Sequence, residues 1–244
     1  MPRDLRNHRA DFATTRWSIV LAAGRTDTPS SRDALAALCE SYWYPLYAYA
    51  RRRGYRAEQA EDLAQSFFAR FLEKNDVQDA DRSRGKFRSF LLVEFKHFLA
   101  NEYDREHAQR RGGQNEIVSL NANDAERKYN SSVTNGVTPD QEYEKQWALS
   151  VLEGVVAQLT DEYAAAGKAD LFARLRVFLP GTTGDATYRE CGEALSLSEA
   201  AVKMAVHRMR KRYRHVLRKR IADTLADPGS VDEEIRYLLD VLSA

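Results

Sequence analysis

Only two cysteines occur in the 244 residues, Cys39 and Cys191, too far apart for a metal-ligand or redox spacing and both in segments of helical periodicity. That excludes a disulfide scaffold and a thiolate zinc site, and it points to reduced core residues of a cytoplasmic chain. No run approaches the ~20 apolar residues needed to cross a bilayer. Residues 1–10 are polar and charged, with no hydrophobic stretch behind them of the kind a secretory leader carries. A membrane is therefore not an expected partner. A Gly-rich phosphate loop and a nucleophile elbow are missing, and the five histidines (His8, His97, His107, His207, His215) form no ligand constellation. An enzyme, a small-molecule substrate, a metal and a cofactor are all unexpected on these grounds. Net charge is silent as well, because 37 Lys and Arg nearly balance 36 Asp and Glu. Any electrostatic message lies in where the charges sit.

Apolar residues recur at three and four spacing and alternating β-branched runs are absent, so the expected fold is all-α. A first helix is expected over 13–23, and a second over 32–53 after a Ser31 cap, with an aromatic cluster of Tyr42, Trp43, Tyr44, Tyr47 and Tyr49 and a Pro45 inside it. The third, over 58–74, places Ala60, Leu63, Ala64, Phe67, Phe68, Phe71 and Leu72 on one face. The fourth, over 86–110, turns Phe87, Phe90, Leu91, Phe95, Phe98 and Leu99 inward between basic flanks. Residues 112–139 are rich in Asn, Ser, Gly and Thr and read as a flexible linker. Helices resume over 140–159 and 169–179. The layout is two helical domains, 32–111 and 140–221, with an N-terminal extension over 1–31 and an acidic C-terminal extension over 222–244.

The C-terminal domain carries a helix-turn-helix over 187–213, TYRECGEALSLSEAAVKMAVHRMRKRY. Its first helix spans 188–195, with Tyr188, Cys191 and Leu195 on one side. Leu197 fills the turn and Ser198 caps the second helix. There Val202, Val206, Met209, Tyr213 and Val216 recur by four and three and must pack inward. Lys203, His207, Arg210, Lys211, Arg214 and Arg218 remain outward, and between Lys203 and Arg220 there are nine Lys or Arg and no acid. A solvated face normally mixes signs to gain i,i+4 pairs. This one has the footprint of a groove-binding helix, whose cations neutralise phosphates while its first turns reach base edges.

The stretch Ala60-Glu61-Asp62-Leu63-Ala64-Gln65-Ser66-Phe67-Phe68 resembles the AEDLxQxxF signature of the helix by which sigma-70-type factors, especially the extracytoplasmic-function (ECF) group, grip the RNA polymerase clamp. Phe87-Arg88-Ser89-Phe90-Leu91 is similar to the start of that family's promoter-melting helix, and the helix-turn-helix takes the place of its region 4, a winged-helix-like module. Order and spacing agree over about 32–221. The chain departs from the family at Phe90, where Trp is usual, and at Ser66, where an acid is frequent. The resemblance implies that Glu58, Glu61, Asp62, Gln65 and Ser66 meet the polymerase core, with the beta-prime clamp and beta flap as partners. It implies that Arg88, Lys96, His97, Asn101 and Arg105 meet the minus-10 element. It assigns the minus-35 element to Ser198, Glu199, Ala200, Lys203, Met204, His207, Arg208 and Lys211. Promoter DNA is the second partner, and an anti-sigma factor or a protein kinase acting on Thr14, Thr15 or Ser66 would be a regulator. The rival reading is a stand-alone helix-turn-helix regulator that binds operator DNA without polymerase.

Overall fold

The computed structural model describes residues 29–73, 86–109, 122–132, 136–180, 186–225 and 227–243. The helix expected over 13–23, with Thr14 and Thr15, lies outside them. The described residues form nine α-helices and no strand: α1 Pro29–Arg52, α2 Ala57–Glu73, α3 Phe87–Gln109, α4 Ala122–Ser132, α5 Pro139–Ala165, α6 Ala169–Leu175, α7 Tyr188–Leu195, α8 Glu199–Ala222 and α9 Val231–Ser243. Short 3-10 turns follow α6 at Arg176–Phe178 and precede α9 at Pro228–Ser230. These helices divide into two compact units, one of residues up to Trp147 together with those from Ala222 on, the other of Ala148–Ile221.

The first unit is held by aromatic packing. α1 runs through Pro45 and is apolar on every side near its end, where Leu46, Tyr47, Ala48, Tyr49 and Ala50 are all buried. On α2 the three-and-four pattern brings Phe67, Phe68 and Phe71 to one face, and α3 answers with Phe95 and Phe98. The Phe67 ring centroid lies 5.1 Å from Phe95 and 5.7 Å from Phe98, in edge-to-face geometries that suit the ring quadrupoles. Tyr49 meets Phe95 edge-on at 5.9 Å and Tyr42 meets Phe87 at 5.3 Å.

The described helices depart from the expected organisation at three points. Residues 112–139, expected to be a flexible linker, contain α4, which buries Ala125 and Tyr129. Polar groups hold it: the Glu126 carboxylate accepts from Arg51 Nε at 2.8 Å, Arg51 Nη2 at 2.6 Å and the Tyr47 hydroxyl at 2.7 Å. Burial would raise that carboxyl, but the bonds from Arg51 and Tyr47 outweigh it and hold it below its usual range. The C-terminal stretch was expected to be an acidic extension separate from the domains, yet α9 buries Val231, Glu234 and Leu238 within the first unit. The boundary between the units also falls inside α5 rather than before it. The cause is the start of α5, whose Tyr143 hydroxyl donates to the Arg88 carbonyl at 3.0 Å and whose Glu144 accepts from Arg88 Nε at 2.6 Å.

In the second unit α8 is anchored on α5 by a bidentate pair, Arg212 Nε and Nη2 to the two oxygens of Glu162 at 2.8 and 2.7 Å. That carboxyl is held at about 2, first by the Arg212 hydrogen bond. Gly154 on α5 allows the Arg220 guanidinium to lie where a Cβ would stand, 2.7 Å from Nη1. Cys191 is buried and unbonded to sulfur.

Candidate nucleic-acid interface

Local chemistry fixes the α7–turn–α8 geometry. Thr187 and Glu190 form a reciprocal cap: the Glu190 N–H donates to Thr187 Oγ1 at 3.2 Å, and the Glu190 carboxylate accepts from the Thr187 N–H at 2.8 Å. The T-x-x-E spacing is visible in the sequence. α7 ends at Ser196, the one described non-glycine residue with positive φ, at 55°. The chain then doubles back, the Leu197 N–H bonding the Gly192 carbonyl at 2.9 Å. A Cβ on Gly192 would stand 2.7 Å from the Leu197 carbonyl oxygen, so glycine permits the close approach of the two helices. Leu197, expected to fill the turn, is instead exposed. Ser198 Oγ accepts from the Ala201 N–H at 3.2 Å, the cap its sequence position implies.

Along α8, Val202, Ala205, Val206, Met209, Tyr213, Val216, Leu217 and Ile221 are buried. Glu199, Ala200, Lys203, Met204, His207, Arg208 and Lys211 are exposed together on the first three turns, and Ser198 is exposed just ahead of them. Lys203 Nζ lies 2.6 Å from Glu199 Oε1, and this bond lowers the Glu199 carboxyl and raises the Lys203 ammonium. Arg210, expected to project from the face, turns back and donates from Nε to the Phe178 carbonyl at 2.9 Å. Arg214, Arg218 and Lys219 continue the exposed basic surface toward the end of the helix.

In the first unit, Glu58, Gln65 and Ser66 are exposed on α2 and Asp62 is half-buried beside them. Burial raises the Asp62 carboxyl, and the nearby carboxylates of Glu61 and Glu58 raise it further. Glu61 does not belong to that surface: it is 1% exposed. It shares its helix face with the buried Ala64 and Phe68, so the spacing that packs α2 also withdraws Glu61.

On α3, His97, Asn101 and Arg105 are exposed and Lys96 is half-buried. His97 and Asn101, with Glu94, Arg70 and the rings of Phe67, Phe71 and Phe98, line one small recess between α2 and α3. Arg70 was not singled out by the sequence. It follows the Phe67–Phe68 pair toward the recess, and its guanidinium lies 5.9 Å from the Phe98 ring centroid. Lys96 Nζ bonds Asp140 Oδ2 at 2.9 Å and Arg105 pairs with Glu102 at 3.7 Å. Arg88, expected to face DNA, is only 4% exposed. It shares its helix face with the buried Leu91, Leu92 and Phe95, so its side chain enters the interior, where it pairs with Glu144 and Glu234 and lies over the rings of Trp147 at 4.4 Å and Tyr237 at 4.5 Å.

Among the described residues, no group of three His, Cys, Asp or Glu is placed to hold a metal ion, and no helix is long and apolar enough to cross a membrane. Neither the curated proteins nor the solved structures yield a match to the chain. A family model, that of the ECF sigma factors, matches residues 32–219. That match runs from the first turn of α1 almost to the end of α8 and takes in helices of both units, so the chain belongs to the ECF sigma factors, which direct transcription initiation by RNA polymerase.

Proposed function

We propose that this sigma factor reads the minus-35 element of its promoters with α8 and recognises and melts the minus-10 element with α2 and α3. The observation that carries the reading is the exposed face of α8, capped by Ser198 and lined by Lys203, His207, Arg208 and Lys211, behind which Val202, Val206, Met209 and Tyr213 are buried. Cations on that face release counterions from the duplex. Ser198, Glu199, Ala200, Lys203, Met204 and His207 lie on the turns that reach base edges. Residues 148–221 act as a region 4-like domain, and the first unit, which takes in 32–111, acts as a region 2-like domain. In the latter, Lys96, His97, Asn101 and Arg105 meet the non-template strand, with Arg70 added from the recess it shares with His97 and Asn101. An unstacked base there gains from aromatic walls and neighbouring cations.

Glu58, Asp62, Gln65 and Ser66 contact basic residues of the beta-prime clamp, which would lower the raised Asp62 carboxyl. Ser66 is exposed, so its phosphorylation by a protein kinase would add up to about two negative charges to this acidic surface. The test is capture of RNA polymerase core by the full chain. Wild type retains core and supports promoter-specific transcription in vitro, and Asp62→Arg loses both while folding normally. A wild-type chain that binds duplex operator DNA tightly but never retains core would establish the stand-alone regulator instead.

A further inference from the structure

The first two turns of α8 are not uniformly polar. Met204 is 56% exposed, more than any other large apolar side chain among the described residues, although Lys203, His207 and Arg208 surround it on the helix surface. It projects from the side opposite the buried Val202, Val206 and Tyr213, near the middle of the outward face. Ala200, one turn earlier on the same side, is exposed too. The two charges at this end are committed to each other, Lys203 Nζ lying 2.6 Å from Glu199 Oε1 and 5.8 Å from the Tyr188 ring centroid. A small apolar island therefore stands among paired and exposed charges, on the turns that approach bases.

The major groove offers one apolar group on its base edges, the C5 methyl of thymine. We infer that Met204, with Ala200 beside it, reads thymine through that methyl group and so sets one or two positions of the promoter element. The inference rests on the reading of α8 as the minus-35 helix. An unbranched thioether suits the task, since its rotatable bonds let it follow a methyl at the floor of the groove. The short Ala200 leaves room for the helix to seat.

The experiment uses the full chain assembled with RNA polymerase core. A duplex is selected from a library randomised across the upstream element, and each thymine in it is then replaced in turn by deoxyuridine, which removes only the C5 methyl. Affinity should fall about fourfold at one or two positions, the worth of one buried methyl group. Met204→Ala should bind thymine and deoxyuridine duplexes equally, Met204→Leu should keep most of the difference, and the salt dependence should stay as in wild type. If a sequence is selected but no deoxyuridine replacement weakens binding, or if Met204→Ala keeps the full difference, the thymine assignment is wrong while the minus-35 reading stands. If the assembly selects no sequence at all, both fall.

Discussion

Glu234→Gln removes one charge from a four-charge cluster built on the buried Arg88–Glu234 pair and leaves its shape intact. The wild-type cluster holds two cations, Lys86 and Arg88, and two anions, Glu144 and Glu234, with Arg88 and Glu234 only 4% and 1% exposed. Losing one partner of a buried pair costs about 3–5 kcal/mol, because the other charge is left without compensation. Arg88 keeps Glu144 at 2.6 Å and the faces of Trp147 and Tyr237. Each ring is worth about 1 kcal/mol to a desolvated guanidinium, so the net loss should be about 1–3 kcal/mol.

At a urea m-value of about 2 kcal/mol/M, that loss moves the unfolding midpoint of the first unit down by about 0.5–1.5 M. The damage should begin in α9, since an isolated helix of 13 residues is marginal in water. Its amides from Ile235 to Leu242 should lose hydrogen-exchange protection before those of α2. Glu233→Gln, an exposed neighbour, is the control and should shift the midpoint little. Joint replacement of Arg88 by Met and Glu234 by Leu should recover much of the loss, as apolar substitutes for buried ion pairs commonly do. A Glu234→Gln midpoint equal to that of Glu233→Gln would refute the reasoning.

Three further outcomes follow from the second unit. Glu162 has a folded carboxyl pKa of about 2, below its unfolded value, so its pair with Arg212 stabilises above the usual carboxylate range and is lost as pH falls through about 2; Glu162→Gln should cost about 1 kcal/mol or less at neutral pH after solvent screening, and the gap from wild type in denaturant titrations should close below pH 4.5 or so. Gly192→Ala gains about 1 kcal/mol of helix propensity but drives a Cβ to 2.7 Å from the Leu197 carbonyl oxygen, so thermal unfolding should show a net loss of about 1–2 kcal/mol. Ser196→Gly relieves the positive φ of 55° and should raise stability by about 0.5–1 kcal/mol without altering DNA affinity, read by the same melts and by a binding titration.

The inward residues of α8 are spaced by four and three, and each is buried; α7 spans the residues its periodicity implies. Long amphipathic helices announce themselves because burial selects one face, and short caps such as Ser198 follow from donor chemistry at a helix start. The helices that periodicity missed are held differently. α4 has few apolar residues to count, and its place depends on Glu126 meeting Arg51 and Tyr47, which are far away in sequence. α9 was judged by its acids, and its Val231 and Leu238 spacing was outweighed by charge. Among the site residues, Arg88 and Glu61 read as surface groups in the sequence because charged residues almost always are. Only the positions of Glu144 and Glu234 could reveal Arg88 as an interior cation, and neither lies within thirty residues of it in the chain.

That interior cation bears on what the family plan supplies. The ECF match ends at 219, before α9 begins. The matched residues bring Arg88 and Glu144 to the same place but not Glu234, and the Phe87 N–H, one of the unsatisfied donors at the start of α3, is met by the Thr224 carbonyl at 3.3 Å, also beyond the match. In this chain the helix proposed to melt promoters therefore has its first turn completed by residues that follow the recognition helix in sequence. Replacing or removing the C-terminal segment is thus a perturbation of the first unit. A loss of melting on truncation would have to be separated from loss of a regulatory function by the Arg88→Met and Glu234→Leu pair, which removes the charges and keeps the helix.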